Sequence, residues 1–102
     1  LGLRCRRVFV GEHQVLLYVA DAHAETADPE QLGLHIWPGT HAMAHLVLGL
    51  ERRGELAGRA VLDLGCGTGF IGILAHAAGA GSVVLADCES QVLRAAEVNV
   101  SA

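Results

Sequence analysis

Residues 61–69 read Val61-Leu62-Asp63-Leu64-Gly65-Cys66-Gly67-Thr68-Gly69. An apolar strand carries one acidic residue near its end and then meets three glycines at alternate positions. Glycine has no Cβ, so the backbone there can turn sharply and admit a ligand closely. An apolar, helix-like run follows from Phe70 to Ala78. Strand, glycine turn and helix in that order place a ligand at the carboxyl end of a sheet strand. The same alternation then repeats. Ser82–Ala86 reads as a second strand ending at Asp87, and Glu89 to about Val100 reads as a second, amphipathic helix. Its expected inward residues are Val92, Leu93, Ala96 and Val100. Strands alternating with helices imply an α/β fold with a parallel sheet covered on both faces.

Upstream of that unit the pattern differs. Arg7–Val10 and Gln14–Val19 are rich in Val, Leu, Phe and Tyr and flank Gly11-Glu12-His13, which predicts a β-hairpin. Residues 20–34, with Pro29 and Gly33, read as a surface loop. A helix is expected from near Thr40, with Met43, Leu46, Val47 and Leu50 as its apolar stripe. His41, His45 and Arg52 fall on its opposite face, and Gly54 and Gly58 bracket its exit. The expected division is an amino-terminal hairpin and loop over 1–34, then a ligand-binding part over 35–102.

Composition narrows the class. With 102 residues there is room for one small domain, and 52% apolar against 18% charged residues favours a buried core over disorder. A net charge of −4 leaves no basic footprint, so direct nucleic-acid or membrane-surface binding is not expected. Cys5, Cys66 and Cys88 are odd in number and lack CxxC spacing, which points to a reducing compartment: the cytoplasm, with the nucleus second. No apolar run reaches the roughly 18 residues of a membrane span. The basic start, Leu1–Arg7, is not followed by a signal-peptide core. The chain begins with leucine and stops soon after its second strand–helix unit. It is therefore expected to be the amino-terminal portion of a longer protein, inactive alone, with edges open to a chaperone or partner chain.

The candidate site gathers around the glycines. Gly65 and Gly67 offer close backbone approach. Asp87 lies 20 residues after Gly67, a reach that suits a carboxylate accepting both hydroxyls of a ribose. Asp63 sits beneath the turn, where it can orient the turn's amides or a water. A plain tight turn is the alternative for the glycines, and for Asp87 alone the alternative is a helix N-terminal residue favoured by the macrodipole; that both carboxylates fall in place with the glycines favours the ligand site. A rival pattern uses the same residues: Gly67, Gly69 and Gly72 form a literal GxGxxG, the dinucleotide fingerprint, with Asp87 on an adenine ribose. Against it, Asp63 interrupts the strand, Gly65 comes early, and residues 1–59 precede the unit. His41 and His45 have the i, i+4 spacing of a metal pair, but no third ligand or HExxH glutamate joins them. They read as a solvated helix face, and no metal is expected. His13, His23, His35 and His76 show no ligand spacing, and no Ser/His/Asp or Cys/His set supports a covalent nucleophile.

Asp63, Gly65, Gly67 and Gly69 resemble motif I of the class I S-adenosylmethionine-dependent methyltransferases, (D/E)-x-G-x-G-x-G. Gly33-Leu34-His35-Ile36-Trp37-Pro38-Gly39, followed by a helix and then motif I, is similar to the methyltransferase-16 group of seven-β-strand enzymes. That group holds protein lysine methyltransferases and a histidine-methylating branch. The early hairpin and Asn99-Val100 also fit, so the resemblance spans roughly residues 7–100. Pro38 departs from it, since many members carry an acidic residue there. The resemblance implies an incomplete Rossmann-like class I methyltransferase fold, with the first two parallel strands of the sheet present. It implies S-adenosylmethionine as cofactor, contacted by Trp37, Asp63, Gly65, Cys66, Gly67, Gly69 and Asp87. At Cys66 a small residue is all the turn requires. It also implies a protein substrate, methylated on a side-chain nitrogen, lysine ahead of histidine. Acceptor residues belong to strands not present here, so no catalytic residue is named. The alternatives are a dinucleotide-binding fragment and a non-catalytic interaction module.

Overall fold

The computed structural model describes residues 3–20 and 36–101. The first two elements are antiparallel strands, β1 (Leu3–Val10) and β2 (His13–Ala20), paired from Leu3↔Ala20 to Val10↔His13. Gly11 takes a positive φ of 58° in the two-residue turn, the hand that matches strand twist. The hairpin is longer than the expected Arg7–Val10 and Gln14–Val19 runs, because residues 3–6, two of them arginines, pair as well. Charged side chains are well tolerated on an exposed ribbon. Its inner face carries Val10, Val15, Leu17 and Val19, all buried, while Phe9 on the outer face is exposed.

Helix α1 (Pro38–Arg52) begins two residues before Thr40. Proline is well suited to the first helical position, and Trp37 before it is extended at φ −92°, ψ 158°. The helix ends in a Schellman motif. The Gly54 N–H donates to Glu51 C=O at 3.0 Å and the Glu55 N–H to Leu50 C=O at 2.9 Å. Of the expected stripe, Val47 is buried and Leu50 packs partly against the core, but Met43 and Leu46 are exposed; Ala44 and Leu48 complete the buried face. The helix is apolar over more than one stripe, and its neighbours in the core, the helix Phe70–Ala77 and the hairpin, select which is used. Leu48 packs on the hairpin turn, 3.2 Å from where a Cβ on Gly11 would stand.

The remaining elements form a βαβ unit and a final helix. They are β3 (Ala60–Leu64), α2 (Phe70–Ala77), β4 (Ser82–Ala86) and α3 (Ser90–Ser101). Strands β3 and β4 are parallel, with Val61 opposite Val83 and Asp63 opposite Leu85. Both strands fall where the sequence predicts, and α2 stops one residue early. It too ends in a Schellman motif, with Gly79 N–H to His76 C=O at 3.1 Å and Ala80 N–H to Ala75 C=O at 3.0 Å. In α3 the buried residues are Val92, Ala95, Ala96 and Asn99. Val100, expected inside, is exposed. The helix is turned so that two alanines and one amide face inward.

A single cluster joins Val10, Val15, Leu17 and Val19 of the hairpin to Leu48 of α1 and to Phe70, Leu74 and Ala75 of α2. The hairpin therefore leans on the helices and does not roof the parallel sheet. Among the described residues the sheet is covered on one face: Leu62, Leu64 and Val84 on the other are 62%, 80% and 60% exposed. The division expected after residue 34, and nearly all of the loop with Pro29 and Gly33, lie outside the described residues. Among the described residues no helix is long and apolar enough to cross a membrane.

Candidate cofactor site at the carboxyl ends of the parallel strands

The chain leaves β3 through the glycine turn. Gly65, Gly67 and Gly69 all take positive φ, of 70°, 54° and 85°, and no described non-glycine residue does. A side chain at any of the three would be strained, so the alternation of glycines is a backbone requirement. Cys66 N–H donates to Ala86 C=O at 2.9 Å and carries the β3–β4 ladder one residue past the strand. Gly69 N–H then donates to Cys66 C=O at 2.8 Å, and Ile73 N–H to Gly69 C=O at 2.9 Å, which starts α2.

Two carboxylates hold this turn. Gly69 is the N-cap of α2 and has no side chain with which to cap it. Asp63 reaches over from β3, and its Oδ2 accepts the Gly72 N–H at 3.0 Å. It thereby satisfies a first-turn amide and places negative charge at the positive end of the helix. Asp87 Oδ2 accepts the Gly67 N–H at 3.1 Å, and its Oδ1 accepts the Glu89 N–H at 3.1 Å. Asp87 thus ties the turn after β3 to the turn after β4. Each of its oxygens retains lone-pair capacity beyond the one backbone bond.

The pair makes the site electronegative. Burial raises the Asp63 pKa, the Gly72 amide lowers it, and the neighbouring charge of Asp87 raises it further, for a net increase. Cys66 is buried between them, and its thiol is pushed up to about 11 by burial, then by Asp63 and Asp87.

Trp37, Asp63, Gly65, Cys66, Gly67 and Asp87 line one pocket of 160 Å³, completed by Thr40, Thr68, Phe70 and Ile71. Gly69 is not in its wall. A Cβ there would stand 3.1 Å from Leu85 Cδ1 and 3.5 Å from Ala96 Cβ, so this glycine faces the packing behind the turn. Larger cavities of 430 Å³ lie beside Tyr18 and Arg94 and beside Leu85 and Leu93. Neither includes the glycine turn, so size alone does not locate the site. His41 and His45 are exposed on α1, and the described residues hold no group of three metal-ligating side chains. Thr68 and Phe70 were not singled out from sequence. Their positions within the turn are the only signal, since neither side chain announces a ligand.

Fold and site together define an incomplete Rossmann-like α/β unit with a glycine turn at the carboxyl ends of its parallel strands. The family model of ribosomal protein L11 methyltransferase (PrmA) matches residues 24–102. The chain belongs to that family. It is 44% identical over 69 residues to the ribosomal protein L11 methyltransferase of Pseudomonas paraeruginosa, covering 68% of this chain and 24% of that protein. To the enzyme of the same name from Aliivibrio salmonicida it is 32% identical over 91 residues, covering 83% of this chain and 31% of the relative. The Legionella pneumophila protein of that name is 36% identical over 70 residues, covering 69% of this chain and 24% of the relative. The chain thus spans about a quarter to a third of the length of these relatives. The match lies in a different branch of the methyltransferases from the one that the Trp37 segment resembles. That segment is one aromatic before a proline-capped helix, too little to separate branches.

Proposed function

We propose that this chain carries the S-adenosylmethionine site of a protein methyltransferase whose substrate is a ribosomal protein of the L11 kind. The acceptor on this reading is a side-chain nitrogen, lysine ahead of histidine. The observation that carries it is the pair of carboxylates, Asp63 and Asp87, set around a turn made of left-handed glycines.

The residues fit the chemistry of that cofactor. It combines an adenosine, a cationic sulfonium and an amino-acid tail, with no phosphate. Nothing lies within 4 Å of where a Cβ on Gly65 would stand, so the backbone is open to a ligand there. Asp87 has lone pairs left for ribose hydroxyls. Asp63 and Asp87 give the negative potential that a sulfonium and an ammonium require. Trp37, 41% exposed at the pocket's edge, offers a ring face for contact. The 160 Å³ pocket is below the roughly 300 Å³ of a usual small-molecule site, so these walls hold part of the ligand. A dinucleotide reading suffers from the same pair: its pyrophosphate would face two carboxylates.

When bound, the cofactor would supply a methyl group that a substrate nitrogen takes up with its lone pair as the methyl–sulfur bond breaks and the neutral thioether leaves. The chain's own residues bind and orient. Asp87 fixes the turn through the Gly67 amide, Asp63 fixes the start of α2 through the Gly72 amide, and Trp37 limits the mouth. A lysine acceptor must first lose a proton, because its ammonium has no lone pair. The net charge of −4 supports a direct protein contact over an RNA contact, and the free thiols of Cys5, Cys66 and Cys88 support a cytoplasmic setting.

Calorimetry with S-adenosylmethionine, S-adenosylhomocysteine and NAD tests the reading. The first two are expected to bind and NAD is not; tight NAD binding with no response to the others overturns it. Asp87→Ala is expected to weaken S-adenosylhomocysteine binding by about 1.5–3 kcal/mol, the range for hydrogen bonds to a charged group. Unchanged affinity in the folded variant would put the ligand elsewhere.

A further inference from the structure

Asn99 lies in α3 and is 2% exposed. Asparagine is a poor choice for a helix interior, and an amide buried there must find partners. It finds three. Its Oδ1 accepts the Tyr18 N–H at 2.5 Å, and its Nδ2 donates to Tyr18 C=O at 3.2 Å and to Thr68 C=O at 2.8 Å. The first two bonds close on β2 as a residue of a neighbouring strand would. The third reaches the glycine turn.

Thr68 stands between Gly67 and Gly69, and its own hydroxyl accepts the Phe70 N–H at 3.3 Å. The peptide joining Thr68 to Gly69 turns about Thr68 ψ and Gly69 φ, and the glycine side resists that turning little, because glycine tolerates both signs of φ. The peptide joining Thr68 to Gly69 is held at both ends. Its carbonyl is bonded to Asn99, and its N–H donates to Cys66 C=O at 2.8 Å. Without the Asn99 amide, the carbonyl would lose a buried donor and the turn one of its two restraints at this peptide.

We infer that Asn99 is a positioning residue for the cofactor turn, and that it couples docking of the amino-terminal hairpin to the shape of the pocket. The inference rests on the cofactor reading above. One side chain bonds to β2, from α3, and to the turn, so order imposed on the turn by a ligand is transmitted to Tyr18. Coupling of this kind is reciprocal: a well-docked hairpin favours the ligand-ready turn. Tyr18 lies outside the pocket wall, so its response reports the coupling and not direct contact.

Amide hydrogen exchange on the unaltered protein, with and without saturating S-adenosylhomocysteine, is the main test. Exchange at Tyr18 is expected to slow with ligand, together with exchange at Gly69. Slowing at Gly69 with no change at Tyr18 overturns the coupling. Asn99→Leu and Asn99→Asp are expected to bind S-adenosylhomocysteine about tenfold more weakly, as for loss of about one buried hydrogen bond. Both are expected to abolish the response at Tyr18 while leaving that at Gly67. Asn99→Asp is expected to regain affinity as the pH falls, when its carboxyl group can donate again; a structural lesion would not recover. Parent-like affinity in either folded variant overturns the positioning role. If the unaltered protein binds neither S-adenosylmethionine nor S-adenosylhomocysteine, the cofactor reading fails separately. Ligand-free exchange at Gly69 then decides the clamp: faster exchange in the variants upholds it, and unchanged exchange overturns it.

Discussion

Asp63 is under opposing demands. It caps α2 through Gly72, yet burial and the charge of Asp87 disfavour its ionised form, and its pKa is raised from 3.8 in consequence. The sign for stability follows. A carboxyl group whose pKa is higher in the fold than in the unfolded chain leaves stability greatest below the unfolded value. Stability then falls as the pH rises from 3.8 through the folded pKa. Asp63→Asn keeps an oxygen for the Gly72 amide and removes the charge. The variant is expected to melt above the parent near pH 7, with the gap closing toward about pH 3. It is also expected to bind S-adenosylmethionine more weakly, because the negative potential is halved. Melting curves across pH with calorimetry check both; a lower melting point near pH 7 would show that the charged cap outweighs burial. Asp63 and Asp87 are legible in the sequence because each ends an apolar strand at a set distance from the glycines. Asn99 is not legible in its role. Its partner Tyr18 is 81 residues away, and only the folded chain brings them together.

Helix α2 lies close on the parallel strands, and Gly72 is what lets it. A Cβ there would collide with Leu85 Cδ2 and stand 3.0 Å from Val83 Cγ1. Alanine is the better helix former by about 1 kcal/mol, which opposes the clash. Overpacking against a sheet typically destabilises by about 1–3 kcal/mol, so Gly72→Ala is expected to lower stability in urea titrations. A more stable variant would show slack between helix and sheet. The spans of β3 and β4 were readable because short apolar runs end in an acidic residue or a glycine. The rotations of α1 and α3 were not. Apolar residues occupy more than one stripe of α1, and in α3 the alanines compete with Val100 for the interior. The choice is made by what the neighbouring elements present: α2 and the hairpin to α1, β2 and β4 to α3.

At the scale of the molecule, the hairpin and the βαβ unit share one core, while Leu62, Leu64 and Val84 are exposed on a sheet face that no other described residue covers. A contiguous apolar strip on a sheet invites association. Leu64→Lys and Val84→Lys together are expected to lower self-association in sedimentation runs. Exposed positions of this kind normally change stability by no more than about 0.5 kcal/mol, so melting is expected to stay near the parent value. Loss of cooperative melting would show that the strip is part of the fold's own packing. The sequence showed two parallel strands flanked by helices and implied two covered faces. It did not show where the hairpin goes, because an amphipathic ribbon satisfies itself against any apolar surface, and here the helices provide it.

Cys66 sits in the wall of a pocket proposed to receive an electrophile. A sulfonium alkylates thiolates readily, so a sulfur at that position would be a hazard to the protein that carries it. Burial first, and then the charges of Asp63 and Asp87, hold the Cys66 proton in place, with a pKa of about 11. Neutral thiols are poor nucleophiles. On the proposed reading, the two charges that would attract a cationic cofactor also add to what burial does first, keeping the thiol beside it neutral.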